Sequence, residues 1–470
     1  MKMMIRGFMK TTSLTTLVAA AGILMGNLAY APAKAADLGG GCCADLEERV
    51  AELEATTARK GNRVVSLQVY GQVNRAILGW DDGGKSDAYV VDNYTSGSRI
   101  GLIGKATMWA GWTAGYNIEF DYYDASSGLV SQPDNDNPAT GGAGHGTGGL
   151  PASGTTNPSI PTVQAGLKVR YDNVYMESER LGRVTLGQQS TAADGINEIV
   201  LGNSLVNSSV YVGNSFKIRL SNGVLSDRTF ANFVAFASSS NTGTDGNRLD
   251  TIRYDSPELY GFILSADWGE NDYADVALRF KREWNSIRMA AGIAYQWNDE
   301  ARDTSVLRDE TLSGSISIMH VPTGIYGAFA AGQVSSRQDT FGVDLDNTNF
   351  WYLQFGVERR FLPYGSTTFY GEYGVYDDFA NQLLRSNNNL SGSTSSGMPN
   401  DNTGSHTGTD VANSEATRWG FGIVQKIDSA AMDVYAQYTN WSFDASPTTE
   451  GQITDYQDFS TIMVGSRIKF

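Results

Sequence analysis

From Val64 to Phe470 apolar and polar residues alternate with a period of two, and the segments that do so are joined by connections that run short, then long, then short again. The period is that of a strand with one greasy and one wet face. "WTAGYNIEFDYY" sets Trp112, Ala114, Tyr116, Ile118, Phe120 and Tyr122 against Thr113, Gly115, Asn117, Glu119 and Asp121. "IRMAAGIAYQW" and "WYLQFGVE" repeat the pattern. Sixteen strands are expected, near 64–80, 97–109, 112–124, 165–178, 183–189, 248–256, 260–269, 273–284, 286–299, 311–320, 325–336, 349–361, 366–377, 415–427, 431–443 and 459–470. Tight turns such as "WAGW", "ERLGR", "EWNS" and "FLPYG" alternate with long stretches rich in Gly, Asn, Asp, Ser and Thr.

That alternation puts every tight turn at one end of the sheet and the long loops at the other. A soluble sandwich has water at both ends and no reason to obey such a rule. A barrel crossing an outer membrane does obey it, with short turns on the periplasmic side and long loops outside. Strands of ten to thirteen residues suit a tilted crossing of the hydrocarbon layer. An even strand number lets the first and last strands pair, which leaves no backbone edge in lipid. The final stretch "STIMVGSRIKF" keeps its alternation up to Phe470, so the last strand is expected to close on the one near Val64, with Phe470 at the membrane boundary.

The beginning of the chain fits export. Lys2, Arg6 and Lys10 precede an apolar run from Leu17 to Leu28, and Ala33-Lys34-Ala35 fits the small-x-small cleavage rule, so residues 1–35 read as a signal peptide. Removing it leaves 31 basic residues against 51 acidic ones, a net charge of −20. That disfavours nucleic-acid binding, which needs a basic surface. Cys42 and Cys43, the two cysteines, are adjacent and badly placed to bond to each other, and read as reduced or as pairing between chains. Within 36–63, Leu46, Val50, Leu53 and Thr57 form a short heptad seam. This periplasmic segment reads as a small coiled coil between subunits, a spacer touching peptidoglycan, or a solvated leader. Residues 64–470 form the barrel domain.

The blocks "ADLGGGCCADLEERVAELEATTARKGNR", "SLQVYGQVNRAILGWDDG", "ERLGRVTLGQQSTAADGI", "IRYDSPELYGF" and the closing "GSRIKF" resemble the alphaproteobacterial outer-membrane porins over nearly the whole mature chain. The resemblance implies a trimer of sixteen-stranded antiparallel β-barrels, each with its own water-filled pore, and a terminal strand ending in Phe470 that is read by the outer-membrane assembly machinery. It also implies that the connection after the fifth strand, here about Ser190 to Asn247, folds into the lumen as a constriction loop carrying Asp194 and Glu198. Facing it would stand a basic wall. Alternation points Arg99, Lys105, Arg183, Arg253 and Arg279 inward. Arg75 shares its parity with Val73 and Ile77 and needs a bulge near Gly71 to turn inward. Around Arg170 the apolar parity itself shifts.

The expected function is passive diffusion of small hydrophilic solutes and ions through an outer-membrane channel, without cofactor or metal. A substrate-selective channel is the alternative; it needs aromatic rails or a dense basic patch inside, whereas alternation places most aromatics outside. Catalysis is disfavoured. His145, His320 and His406 are the three histidines, and none stands beside a recognisable nucleophile.

Overall fold

In a computed structural model of the chain, the described residues are 65–123, 125–132, 166–206, 208, 216–234, 248–269, 273–298, 309–335, 347–379, 411–447 and 455–470. The signal peptide and helical segment expected over 1–63 lie outside them. The strands are β1 (Gln68–Asp81), β2 (Ser86–Asp92), β3 (Arg99–Trp109), β4 (Trp112–Tyr123), β5 (Gly166–Ser178), β6 (Gly182–Ser190), β7 (Lys217–Arg219), β8 (Leu225–Thr229), β9 (Arg248–Asp255), β10 (Phe262–Gly269) and β11 (Tyr273–Trp284). They continue as β12 (Ile287–Asn298), β13 (Asp309–His320), β14 (Ile325–Ser335), β15 (Thr348–Leu362), β16 (Gly365–Asp377), β17 (Val411–Ile427), β18 (Met432–Pro447) and β19 (Phe459–Lys469). A short helix, α1, spans Phe230–Val234.

Among the described residues, all but β7 and β8 belong to one antiparallel sheet of 17 strands. Sequential neighbours pair, and β1 pairs with β19 from Gln72↔Lys469 to Asp81↔Ser460, so the sheet closes on itself. The upper part of β1 pairs with β2 and its lower part with β3, which therefore share one place in the wall. The barrel has sixteen strand positions, and all sixteen expected segments are present within a few residues of their expected ends.

One departure is β2. Sequence reading treats 81–96 as a long connection, whereas "SDAYVVD" turns back on β1 after a tight turn. Its seven residues show no clean alternation, so they do not stand out. The chain then leaves the wall at Asn93–Ser98 and turns into the lumen, where the Ser96 carbonyl accepts hydrogen bonds from Gln72 and Asn74.

The two faces are inverted relative to a soluble sheet. Along β15, Phe355 is 61% exposed and its neighbour Gln354 is 1% exposed. Ile293, Leu264, Leu278 and Trp268 likewise face out, while Ser265, Asp267, Asp275 and Gln296 face in. Outward side chains meet hydrocarbon, where an exposed charge at the midplane costs about 2–4 kcal/mol. The inward ones must hydrogen-bond or meet water.

The seam depends on a missing side chain. The Gly71 N–H donates to the Phe470 carbonyl at 2.9 Å, and the Phe470 N–H donates back to Gly71 at 3.0 Å. A Cβ on Gly71 would lie 2.6 Å from the Arg99 carbonyl oxygen and 2.6 Å from Cζ of Phe470. The terminal ring thus packs over a bare backbone. Gly71→Val is expected to prevent closure, seen as loss of the compact, heat-modifiable band on a semi-native gel. Gly71→Ala is expected to give an intermediate yield, because the ring can tilt but the carbonyl cannot.

Candidate functional site

After β6 the chain enters the lumen and follows the inner wall from β9 round to β16. The opening of this segment is held by charged groups acting on its backbone. Arg253 donates to the carbonyls of Ser190 and Thr191 at 2.9 and 3.0 Å, and Arg279 to those of Ala192 and Asp194 at 2.6 and 2.8 Å. From the other side, Asp267 and Asp275 accept from the Ala192 N–H at 2.5 and 3.1 Å, and Asp275 accepts from that of Ala193 at 2.8 Å. Further on, Ser315 reaches the Ile196 carbonyl, Ser317 accepts from the Leu201 N–H, and Asn203 is held by Glu358 and Asp433. The far end meets the inturned piece of the second wall position, where Asn93 donates to the Val206 carbonyl at 3.1 Å.

The segment then returns as the β7–β8 hairpin and α1, which bring Phe216, Ile218, Phe230, Phe233 and Val234 against Trp80, Trp441, Phe443 and Phe459 of the inner wall. These inner aromatics pack against the infolded chain. The hairpin is latched to three extracellular connections. Arg219 donates to Asp82 at 3.0 and 2.8 Å, Gln132 bonds both to Asp82 and to the Lys217 backbone, and the Gln457 N–H donates to the Arg219 carbonyl.

The space left open lies on the β1–β6 side. A cavity of about 440 Å³ is lined there by Tyr70, Gln72, Arg99, Glu119, Arg170, Tyr171, Arg467 and Lys469. Arg170 contacts Glu119 at 2.6 Å and Asp121 at 3.1 Å; Arg99 lies 4.0 Å from Glu119. Opposite, Asp194 from the infolded segment pairs with Arg248 at 3.4 Å. Arg170, Arg99 and Arg248 side chains are 16, 26 and 32% exposed, against 5% for Glu119 and 18% for Asp194. Arg99 and Arg248 are thus more open than the carboxylates they approach, whereas Arg170 lies between the buried Glu119 and the more open Asp121, 25% exposed.

The sequence-derived wall residues separate into groups. Arg99 and Arg170 stand at this opening. Arg253 and Arg279 hold the infolded backbone. Arg183 points inward near a tight turn, its guanidinium 3.6 Å from the Tyr175 ring centroid, and Lys105 is exposed toward the same end. Glu198 follows Asp194 in the infolded segment, its N–H bonded to the Gly195 carbonyl. Arg75 is a correction. The β1 register runs without a bulge, so Arg75 keeps the outward parity of Val73 and Ile77 and reaches Asp92 at 3.9 Å. The bulge lies at Arg170 instead: Glu119 opposes Tyr171 and Phe120 opposes Val169, so Arg170 is the extra residue. Sequence reading missed Arg248, whose alternation matches the outward Ile252 and Tyr254, and Tyr171, which sits where the parity shifts.

A family model described as Gram-negative porin matches residues 14–446. The chain belongs to the Gram-negative porin family. It is an outer-membrane channel for passive diffusion of small hydrophilic solutes and ions. Solved structures sharing the fold include an anion-selective porin from Comamonas acidovorans, 15% identical over 86% of this chain and 100% of that one, with a TM-score of 0.52. Another is OmpT of Vibrio cholerae with loop L8 deleted, 12% identical over 87% of this chain and 100% of that one, with a TM-score of 0.50. At these identities the likeness is one of fold. No curated protein matches the sequence significantly.

The latch responds to acid. Burial pushes the Asp82 carboxyl up, but hydrogen bonds from Arg219, the Lys85 and Gly84 N–H groups and Gln132 outweigh it and hold the pKa below the ordinary 3.8. A depressed carboxylate pKa stabilises the folded form above the unfolded value, and that contribution is lost as pH falls through the folded value. The hairpin is therefore expected to stay docked at neutral pH and to loosen below pH 3.8. Asp82→Asn leaves the Arg219 guanidinium buried without its carboxylate, costing about 3–5 kcal/mol of docking. Limited proteolysis within 216–234 at neutral pH is expected for the variant and, for the native chain, only in acid.

Proposed function

We propose that the opening between Arg99, Arg170 and Arg248 on the wall and Asp194 and Glu198 on the infolded segment is the constriction of this porin, and that it favours anions weakly. The observation that carries this reading is the gathering of Arg99, Arg170 and Arg248 around one opening with Glu119 buried beneath the first two, while the part-exposed Asp121 and Asp194 keep the preference weak. A field between opposed charges across a narrow aqueous gap orients polar solutes and slows apolar ones. Lys105 and Arg183, nearer the tight-turn end, extend the basic track. Pore charges outweigh the chain's net acidity in setting this preference, because ions feel charge within about a Debye length, roughly 8 Å at physiological salt. Passage involves no chemical step, and the reading includes no catalytic residue. His320, the one histidine among the described residues, bonds Thr323 at a turn.

The reading also covers the life of the chain around the channel. Residues 1–35 direct export, the strand ending at Phe470 is recognised during membrane assembly, and the heptad segment within 36–63 links subunits or touches peptidoglycan. Three copies associate in the outer membrane. Support for a covered outer face comes from Arg75, 35% exposed on the outward parity among Val73, Ile77 and Val90, with the Asp92 carboxylate 3.9 Å away but buried. Facing lipid, such charge is costly, and a neighbouring copy over this stretch of wall removes the cost.

In a planar bilayer the protein is expected to give a large, weakly selective conductance stable to voltage; a folded protein with no conductance would overturn the reading. Neutralising Asp194 and Glu198 together is expected to move the reversal potential toward anions by freeing Arg248, and an unchanged value would remove both from the constriction. Arg75→Leu is expected to weaken the oligomer band on a semi-native gel while leaving single-channel conductance as it was. A stronger oligomer band would place that face in lipid instead.

A further inference from the structure

The bulge in β5 turns two consecutive residues toward the lumen, which regular alternation forbids. One is Arg170. The other is Tyr171, whose hydroxyl lies 2.9 Å from Oγ of Ser190, where the wall gives way to the infolded segment. The guanidinium carbons of Arg170, its neighbour on β5, and of Arg248, two strand positions round the wall on β9, both lie 6.0 Å from the centroid of the Tyr171 ring. The carboxylate partners of the two arginines differ: Glu119 and Asp121 for Arg170, Asp194 for Arg248. The ring is the surface they share.

Two like charges drawn to one neutral ring are in a particular balance. Each guanidinium is attracted to the ring quadrupole and to its own carboxylate, and repelled by the other guanidinium. The ring supplies a face that does not neutralise charge, so a guanidinium resting there still presents its full charge to the passage. A guanidinium drawn wholly onto a carboxylate does not.

We propose that Tyr171 is a positioning residue for ion selectivity: its ring, set between Arg170, which is fixed on Glu119 and Asp121, and Arg248, keeps the Arg248 guanidinium turned to the passage, so that its charge meets a passing ion. This rests on the channel and constriction reading above. Without the ring, Arg248 closes from 3.4 Å onto Asp194, and the positive field in the opening falls.

The test is the reversal potential under a KCl gradient for the native protein, Tyr171→Phe, Tyr171→Ala, Arg248→Gln and the double variant Tyr171→Ala/Arg248→Gln. Tyr171→Phe keeps the ring and is expected to keep the native value. Tyr171→Ala is expected to lower the anion-to-cation permeability ratio about twofold, in the same sense as Arg248→Gln. The double variant is expected to shift less than the sum of the two singles, since both act on the same guanidinium. A conducting Tyr171→Ala channel with the native reversal potential overturns the proposal while leaving the channel reading intact. So does a Tyr171→Phe shift as large as that of Tyr171→Ala, which would assign the effect to the hydroxyl and its contacts with Ser190 and Arg248 instead of the ring. If Tyr171→Ala does not fold, Tyr171→Leu, which keeps bulk without an aromatic face, is read in the same way. Absence of conductance from the native protein would instead defeat the channel reading itself.

Discussion

Hydrocarbon offers no hydrogen bonds, and from that one fact most of this structure follows. Each strand must give every N–H and C=O in the membrane a neighbour, and the only sheet without unpaired edges is one that returns to its start. The pairing of β1 with β19 is therefore the contact on which the others depend, and it is completed by the reciprocal bonds between Gly71 and Phe470. Once the wall is closed, alternation assigns every side chain to one of two solvents, lipid outside or water within. The greasy exterior and wet interior need no further cause.

Inside, the constraint relaxes. Irregular backbone is tolerated at membrane depth where it borders water or protein, so the chain after β6 can leave the wall and run through the lumen. It is held there less by apolar packing than by groups aimed at its backbone: Arg253 and Arg279 on carbonyls, Asp267 and Asp275 on N–H groups. Only on its return, through the β7–β8 hairpin and α1, does it build an aromatic cluster with the inner wall. The two halves of the lumen thus differ in kind, one packed and dry, the other lined by charge and open.

The wall was legible in the sequence because alternation over ten or more residues has few competing explanations. Strands β4, β12 and β15 fall within a residue or so of where their patterns place them. What escaped was structure whose cause is not local. β2 has seven residues, and β7 and β8 have three and five; their pairing is decided by Asp82, Gln132 and the inner wall, not by their own periodicity. Arg248 turns inward at the first residue of its strand, where twist and the Asp194 carboxylate override parity. The disrupted alternation around Arg170 did mark a bulge, since an extra residue shifts the phase of everything beyond it. For Arg75 no phase shift breaks the alternation, and the residue keeps the outward parity of its stripe, reaching the buried Asp92 at 3.9 Å.

The infolded chain has a mechanical meaning as well. A thin hollow cylinder flattens easily when squeezed from the side, and a bilayer presses on whatever it surrounds. Here an arc of chain lines the inner wall, fastened near β9 at one end and to Asn93 at the other, with intermediate ties to β10, β11, β13 and β15. Flattening the cylinder must bend this arc and strain its ties to the strands behind it. The same piece of chain that narrows the opening thereby fixes its cross-section, so the aperture holds its dimensions as the surrounding lipid changes thickness or tension.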